Sequence, residues 1–118
     1  MSTTLVVNAT IDGIHSWPNA PEQYKEFSQP HRHLFKIICF FPMIDSNDPS
    51  RRQKELWELR SEVIDEIYDI FASEGCPKES MIDFGTMSCE GIADLIKDKT
   101  GASKVFVGED VNFGAMVS

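Results

Sequence analysis

Apolar and β-branched residues alternate with polar ones over 3–15, TTLVVNATIDGIH, and the absence of proline there predicts a first strand. Gly13, beside His15, marks a bulge or bend in it. The following stretch, SWPNAPEQYKEFSQP over 16–30, holds three prolines among mostly polar residues and cannot continue a central strand. It reads as a long loop, and long loops in compact domains tend to carry function. A second strand is predicted over 31–44, HRHLFKIICFFPMI, with Pro42 ending its regular pairing. The two-residue period puts His31, His33, Phe35, Ile37 and Cys39 on one face, and Arg32, Leu34, Lys36, Ile38 and Phe40 on the other.

Helical periodicity takes over next. Asp48 is suited to cap a helix whose first residue is Pro49. Leu56, Leu59, Val63, Ile67 and Ile70 recur on one helical face, supplemented by Trp57, Ile64 and Phe71, while Lys54, Glu58, Glu62, Asp65 and Asp69 form a solvated face. Gly75 and Pro77 break this helix, and MIDFGTM over 81–87 reads as an irregular connection. Ser88 is placed to cap a shorter helix with an Ile92, Leu95 and Ile96 stripe, ended by Gly101. SKVFVGED and FGAMVS then form two short strands around a turn at 110–114. The predicted order is strand, strand, helix, helix, strand, strand, an α+β arrangement with an antiparallel sheet.

Composition narrows the function classes. At 118 residues and 42% hydrophobic, the chain suits a single domain spanning 1–118. Eleven basic residues against 19 acidic ones give a net charge of −8, which opposes binding to polyanions, so neither nucleic acid nor an anionic membrane is an expected partner. No segment has the uninterrupted apolar length of a membrane span, and MSTTLVVN lacks a basic region followed by an apolar signal core. A soluble, cytoplasmic protein is the expectation. Cys39, Cys76 and Cys89 are odd in number and form no Cys-x-x-Cys pair, so neither a disulfide framework nor a thiolate zinc knuckle is indicated.

Chemistry concentrates at the three histidines. Residues i and i+2 of a strand share a face, so the imidazoles of His31 and His33 can reach one ion while His15 approaches from the neighbouring strand. Three neutral imidazoles leave a fourth zinc position for water or substrate, the pattern of a catalytic rather than a closed structural site. On these residues alone, three ordinary hydrogen-bonded histidines remain an equal alternative.

The order of elements, His15, the pair in HRH, the helix opening MSCEGIADLI and the late VGED together resemble the 6-pyruvoyl-tetrahydropterin and 6-carboxy-tetrahydropterin synthase family. That resemblance covers most of the chain except about 45–84. It implies the tunnelling fold, in which antiparallel sheets of several subunits join into a barrel with helices outside, and a homohexamer of two stacked trimers. It also implies that Zn²⁺ is held by His15, His31 and His33, with Arg32 standing where the family usually has glycine. The family's helix-opening Pro-Thr-Ser-Glu falls on Met87, Ser88, Cys89 and Glu90, so Ser88 and Cys89 are expected in the substrate pocket. Glu109 matches the glutamate that anchors the pterin ring. A carboxylate suits this role because the pterin's 2-amino and N3–H edge offers two parallel donors. Without the resemblance, Glu109 reads as an exposed strand-end charge.

Two family features are replaced. Phe27 or Ser28 stands where a catalytic cysteine is usual, and Ile82-Asp83-Phe84 is the nearest counterpart of a Leu-Asp-His motif. Candidate substitutes are Cys89, whose thiol pKa the helix N-terminus would lower, and Asp83 or Glu90 as base. Ser28 is a weaker candidate, and Cys39 and Cys76 read as structural. Two functions follow: a zinc lyase acting on a dihydropterin triphosphate side chain, or a protein that binds a pterin or guanine-like molecule without converting it.

Overall fold

The computed structural model describes residues 3–43, 49–72, 80–110 and 112–118. The expected strand end at Ile44, the Asp48 cap, the helix break at Gly75 and Pro77, and Cys76 lie outside the described residues.

Strands β1 (Thr3–His15) and β2 (His31–Met43) pair antiparallel along their whole length, from Thr3 opposite Met43 to His15 opposite His31. Alternation does what the period requires. Leu5, Val7, Ala9 and Ile11 of β1 and Phe35, Ile37 and Cys39 of β2 are buried on one face, whereas Val6 and Leu34 are exposed on the other. Pairing with β1 runs on past Pro42. Beyond Phe40, where the register with β4 ends, β2 pairs on one side only among the described residues, the setting in which a strand tolerates proline.

Pro49 opens α1 (Pro49–Phe71), and its Val63, Ile67 and Tyr68 enter the core, with Leu56, Leu59, Ile64, Ile70 and Phe71 packed against it. Trp57, assigned to the apolar face by periodicity, is instead exposed. Its one-residue offset from Leu56 turns it about 100° away around the helix. Tyr68, in contrast, is buried and donates its hydroxyl proton to the Ser80 carbonyl at 2.9 Å.

The expected irregular connection contains a further strand, β3 (Ile82–Gly85), which pairs parallel with the end of β1 across an irregularity between Ile14 and His15. Helix α1 supplies the crossover that parallel pairing demands. Gly13 is what lets this edge close: a Cβ there would lie 2.6 Å from Phe84 Cε2 and 2.7 Å from Phe35 Cδ2. Helix α2 (Cys89–Thr100) begins as expected, with Ser88 Oγ accepting the Gly91 N–H at 3.1 Å, and ends on Gly101 in the left-handed region at φ 75°. Strands β4 (Lys104–Glu109) and β5 (Phe113–Val117) complete a five-stranded sheet in the order β3-β1-β2-β4-β5. Buried residues of both helices pack with the inward side chains of this sheet in a single cluster. Among the described residues no helix is long and apolar enough to cross a membrane.

Candidate metal centre

His15 ends β1 and His31 begins β2, and the antiparallel register sets them opposite each other. His33 follows on the same face. The ring centroids lie 4.5 Å apart for His15 and His31, 4.9 Å for His31 and His33, and 5.2 Å for His15 and His33. One nitrogen from each ring lies within 4.8 Å of the other two, close enough for the three to hold one metal ion. Phe35, fully buried, meets both His15 and His33 edge to face and floors the cluster.

Outer contacts decide which nitrogens face inward. His31 Nδ1 lies 3.0 Å from the Gln29 carbonyl and His33 Nδ1 lies 2.8 Å from Asp110 Oδ2, while His15 Nδ1 faces the Met87 carbonyl at 3.5 Å. The acceptors at His31 and His33 Nδ1 favour the proton there, leaving their Nε2 lone pairs for a ligand, while for His15 the Met87 carbonyl stands at the limit of hydrogen-bond reach. His15 Nε2 is buried without a hydrogen-bond partner among the described residues. A buried polar atom in that condition, beside two further imidazoles, is what a metal ion would satisfy. The donor set therefore fits a first-row divalent metal.

Glu109, at the end of β4, brings its carboxylate to the same point: Oε1 is 3.3 Å from His15 Nε2 and Oε2 is 3.6 Å from His33 Nε2. Burial nevertheless holds the His15 pKa below its ordinary value, with the Glu109 charge acting in the opposite direction. Cys89, in the first turn of α2, donates its thiol proton to Glu109 Oε1 at 3.7 Å. The expected lowering of its pKa does not occur. Burial first, and then the Glu109 charge, push the thiol up to about 12, outweighing the N-terminus of α2. Cys39, buried in β2, is raised to about 11 by burial, in keeping with a structural role.

A cavity of about 720 Å³ opens over the histidines. Ser88, Cys89, Glu90 and Glu109 line it, as does the loop of 16–30, which is ordered by a short 3-10 segment over Glu22–Ser28 and by the Trp17 N–H donating to the Phe27 carbonyl. Phe27 sits edge-on to His31 with 5.2 Å between ring centroids, and Trp17 and Tyr24 stack beside it. Of the candidate bases, Glu90 is on the cavity wall and Asp83 is not. The Asp83 side chain is on the exposed face of β3, where Oδ1 accepts the Gly85 N–H at 2.8 Å, because the strand alternation that buries Ile82 and Phe84 turns it outward. Ser28 is likewise not in the lining, its hydroxyl donating to the Lys25 carbonyl.

Asp110 is the polar neighbour that sequence reading misses. It lies in the turn between β4 and β5, where an aspartate is an ordinary turn residue, and only the fold brings it to His33. Its carboxyl is held below its usual range by the Leu34 N–H and then by His33. Trp17 and Tyr24 are also in the lining, and the only sign of them in the sequence is two aromatic residues within a mostly polar loop.

No family model matches the sequence, and no curated protein does. Solved structures do. The chain superposes on 6-pyruvoyl tetrahydropterin synthase from Plasmodium vivax with a TM-score of 0.54 at 10% identity, covering 99% of this chain and 97% of that one. A catalytic-residue mutant of the same enzyme, with glutamate replaced by cysteine, gives 0.54 at 9% identity over 99% and 97% of the two chains. An uncharacterized protein from Wolinella succinogenes gives 0.52 at 11% identity over 99% and 98%. From end to end, this chain has the fold of the 6-pyruvoyl tetrahydropterin synthases.

Proposed function

We propose that the chain is a zinc-dependent lyase of the 6-pyruvoyl/6-carboxy-tetrahydropterin synthase type, acting on the side chain of a dihydropterin triphosphate with altered acid–base residues. The observation that carries this reading is the convergence of His15, His31 and His33 beneath a cavity that also holds the Glu109 carboxylate. A bound zinc would polarise the side-chain oxygens of the substrate.

The chain's own groups divide the remaining work. Glu109 accepts the two parallel N–H donors of the pterin edge, and the neutral Cys89 thiol steadies one of its oxygens. Ser88 shapes the wall as the cap of α2, its oxygen already occupied by Gly91. Glu90 is the other carboxylate on the cavity wall among the described residues and is assigned the proton transfer that the raised thiol of Cys89 cannot perform as a thiolate. Phe27, with Trp17 and Tyr24, forms an aromatic wall of the cavity on the His31 side. The assembly that belongs with this reading is a homohexamer of two stacked trimers with the cavity completed between subunits. Pairing across subunits would also cover the open edges of the five-stranded sheet.

A second reading, binding of a pterin or guanine-like molecule without turnover, is favoured by one observation: of Phe27 and Ser28, one of which stands where the resemblance expects the nucleophile, Phe27 presents an apolar ring to His31 and Ser28 is outside the cavity lining. Incubation of the zinc-loaded protein with dihydroneopterin triphosphate, followed by absorbance and mass, separates the two. The lyase reading expects a new product that disappears on zinc removal and in Glu90→Gln. Tight binding with unchanged substrate supports the second reading, and no binding of any pterin defeats both.

A further inference from the structure

We propose that Asp110 is a positioning residue that fixes the His33 ring in the tautomer and orientation a metal ligand needs. This rests on the metal reading of the triad and adds to it a carboxylate from a different part of the chain.

The geometry is a clamp around Leu34. The Asp110 N–H donates to the Leu34 carbonyl at 2.6 Å, while Oδ1 accepts the Leu34 N–H at 3.0 Å. With its backbone N–H on one polar group of the residue next to His33 and its side-chain Oδ1 on the other, the carboxylate has one oxygen left, and Oδ2 sits 2.8 Å from His33 Nδ1. A carboxylate has no proton to give at neutral pH, so the hydrogen at this contact belongs to the imidazole. The neutral His33 ring is thereby the Nδ1–H tautomer, with its Nε2 lone pair turned into the centre, where Glu109 Oε2 lies 3.6 Å away. Of the three imidazoles, His33 alone has a charged outer partner, the others facing the carbonyls of Gln29 and Met87. A carboxylate partner makes the ring a better donor to a cation than a carbonyl does.

The backbone underlines the arrangement. Asp110 is the one non-glycine residue at positive φ among those described, at 54°, a conformation that aspartate and asparagine adopt more readily than most residues. Asparagine at this position can keep the turn and still accept the Leu34 N–H through its single oxygen. Its amide NH₂ would then face His33 Nδ1, which must become an acceptor. The ring proton would move to Nε2 and block the lone pair aimed at the metal.

The test uses the full chain. Nitrogen NMR of isotope-labelled histidine in the metal-free protein, at mildly alkaline pH, reads the tautomers directly. Wild-type His33 is expected as Nδ1–H, and Asp110→Asn as Nε2–H. In zinc titrations against a competing chelator, Asp110→Asn should bind roughly ten- to a hundredfold more weakly, while the thermal midpoint of the metal-free protein stays close to wild type. Asp110→Gly, which relieves the backbone and removes the carboxylate, should lose affinity similarly. A wild-type His33 carrying its proton on Nε2 overturns the proposal without recourse to any variant. So does either variant binding zinc as tightly as wild type, or losing it only in step with loss of the fold. Wild-type protein that takes up no zinc brings down the metal reading, and this inference with it; zinc uptake with undiminished affinity in the variants brings down this inference alone.

Discussion

Cys89 points its thiol at Glu109, 3.7 Å from Sγ to Oε1, so the sulfur in the cavity serves the carboxylate rather than a substrate carbon. With its pKa pushed up to about 12, the thiolate fraction near neutral pH is negligible. In a Cys76→Ala background, Cys89 and Cys39 should alkylate with iodoacetamide more than a hundredfold more slowly than a free thiol of pKa about 8.5. Peptide mapping by mass spectrometry reads both sites. Rapid modification of Cys89 would contradict the environment described and return it to the list of nucleophiles.

Glu109 gives the sharpest ligand prediction. Glu109→Gln puts a donor where the pterin also donates, and Glu109→Ala leaves two pterin donors unpaired. Either change should weaken binding of neopterin or sepiapterin by on the order of 2 to 3 kcal/mol, roughly thirty- to more than a hundredfold. Zinc content should survive, since the three imidazoles are untouched. Calorimetry showing wild-type affinity in Glu109→Ala would mean that the anchor lies elsewhere.

The lowered pKa of His15 has a definite sign in stability. Burial disfavours the imidazolium in the folded chain, more strongly than Glu109 favours it, and the neighbouring His31 and His33 add to the effect. Once pH drops below about 6.5, the unfolded chain takes up a proton at this residue that the folded chain resists. Metal-free protein should therefore be less stable to urea at about pH 5.5 than at about pH 7.5, and His15→Gln should show a flatter dependence. Identical slopes in the two proteins would remove His15 as the cause.

Gly13→Ala should destabilise by about 1 to 3 kcal/mol, the usual range for a side chain forced into a filled core. Its Cβ would meet the rings of Phe84 and Phe35, both buried, with little room to turn. A thermal melt decides this, and an unchanged midpoint would show that β3 can move away from β1.

Most of the fold was legible because the periods were clean. The thirteen residues of β1 alternate, those of β2 do so from His31 to Cys39, and the Ser88 and Gly101 caps of α2 stand where cap chemistry puts them. Strand β3 was missed because four residues hold only two apolar positions, Ile82 and Phe84, too few to set a period, and because Gly85 reads as a loop. Trp57 misled because an apolar residue beside a stripe looks like part of it until the helix is docked. At the site, His31 and His33 came from spacing alone and His15 from the pairing of two predicted strands. Asp110 and the inverted thiol pKa of Cys89 could not be read that way. Both depend on what lies across the sheet: a ring 77 positions away for Asp110, and for Cys89 a carboxylate 20 positions away together with a buried setting.

The pairing of His15 with His31 has a consequence for the order in which the molecule assembles. All three imidazoles belong to the β1–β2 pair and its connection, residues 15–33, so the ion's ligands can gather by closing one short loop before α1, α2 or β4 has taken its place. A metal bound at that stage would act as a clasp on the register of the two longest strands, where a slip of one residue would turn every apolar side chain the wrong way. Refolding from urea should accordingly be faster with about one equivalent of zinc than in chelator, and His33→Ala should abolish the difference. Equal rates in both conditions would mean that the sheet finds its register first and the metal arrives afterwards.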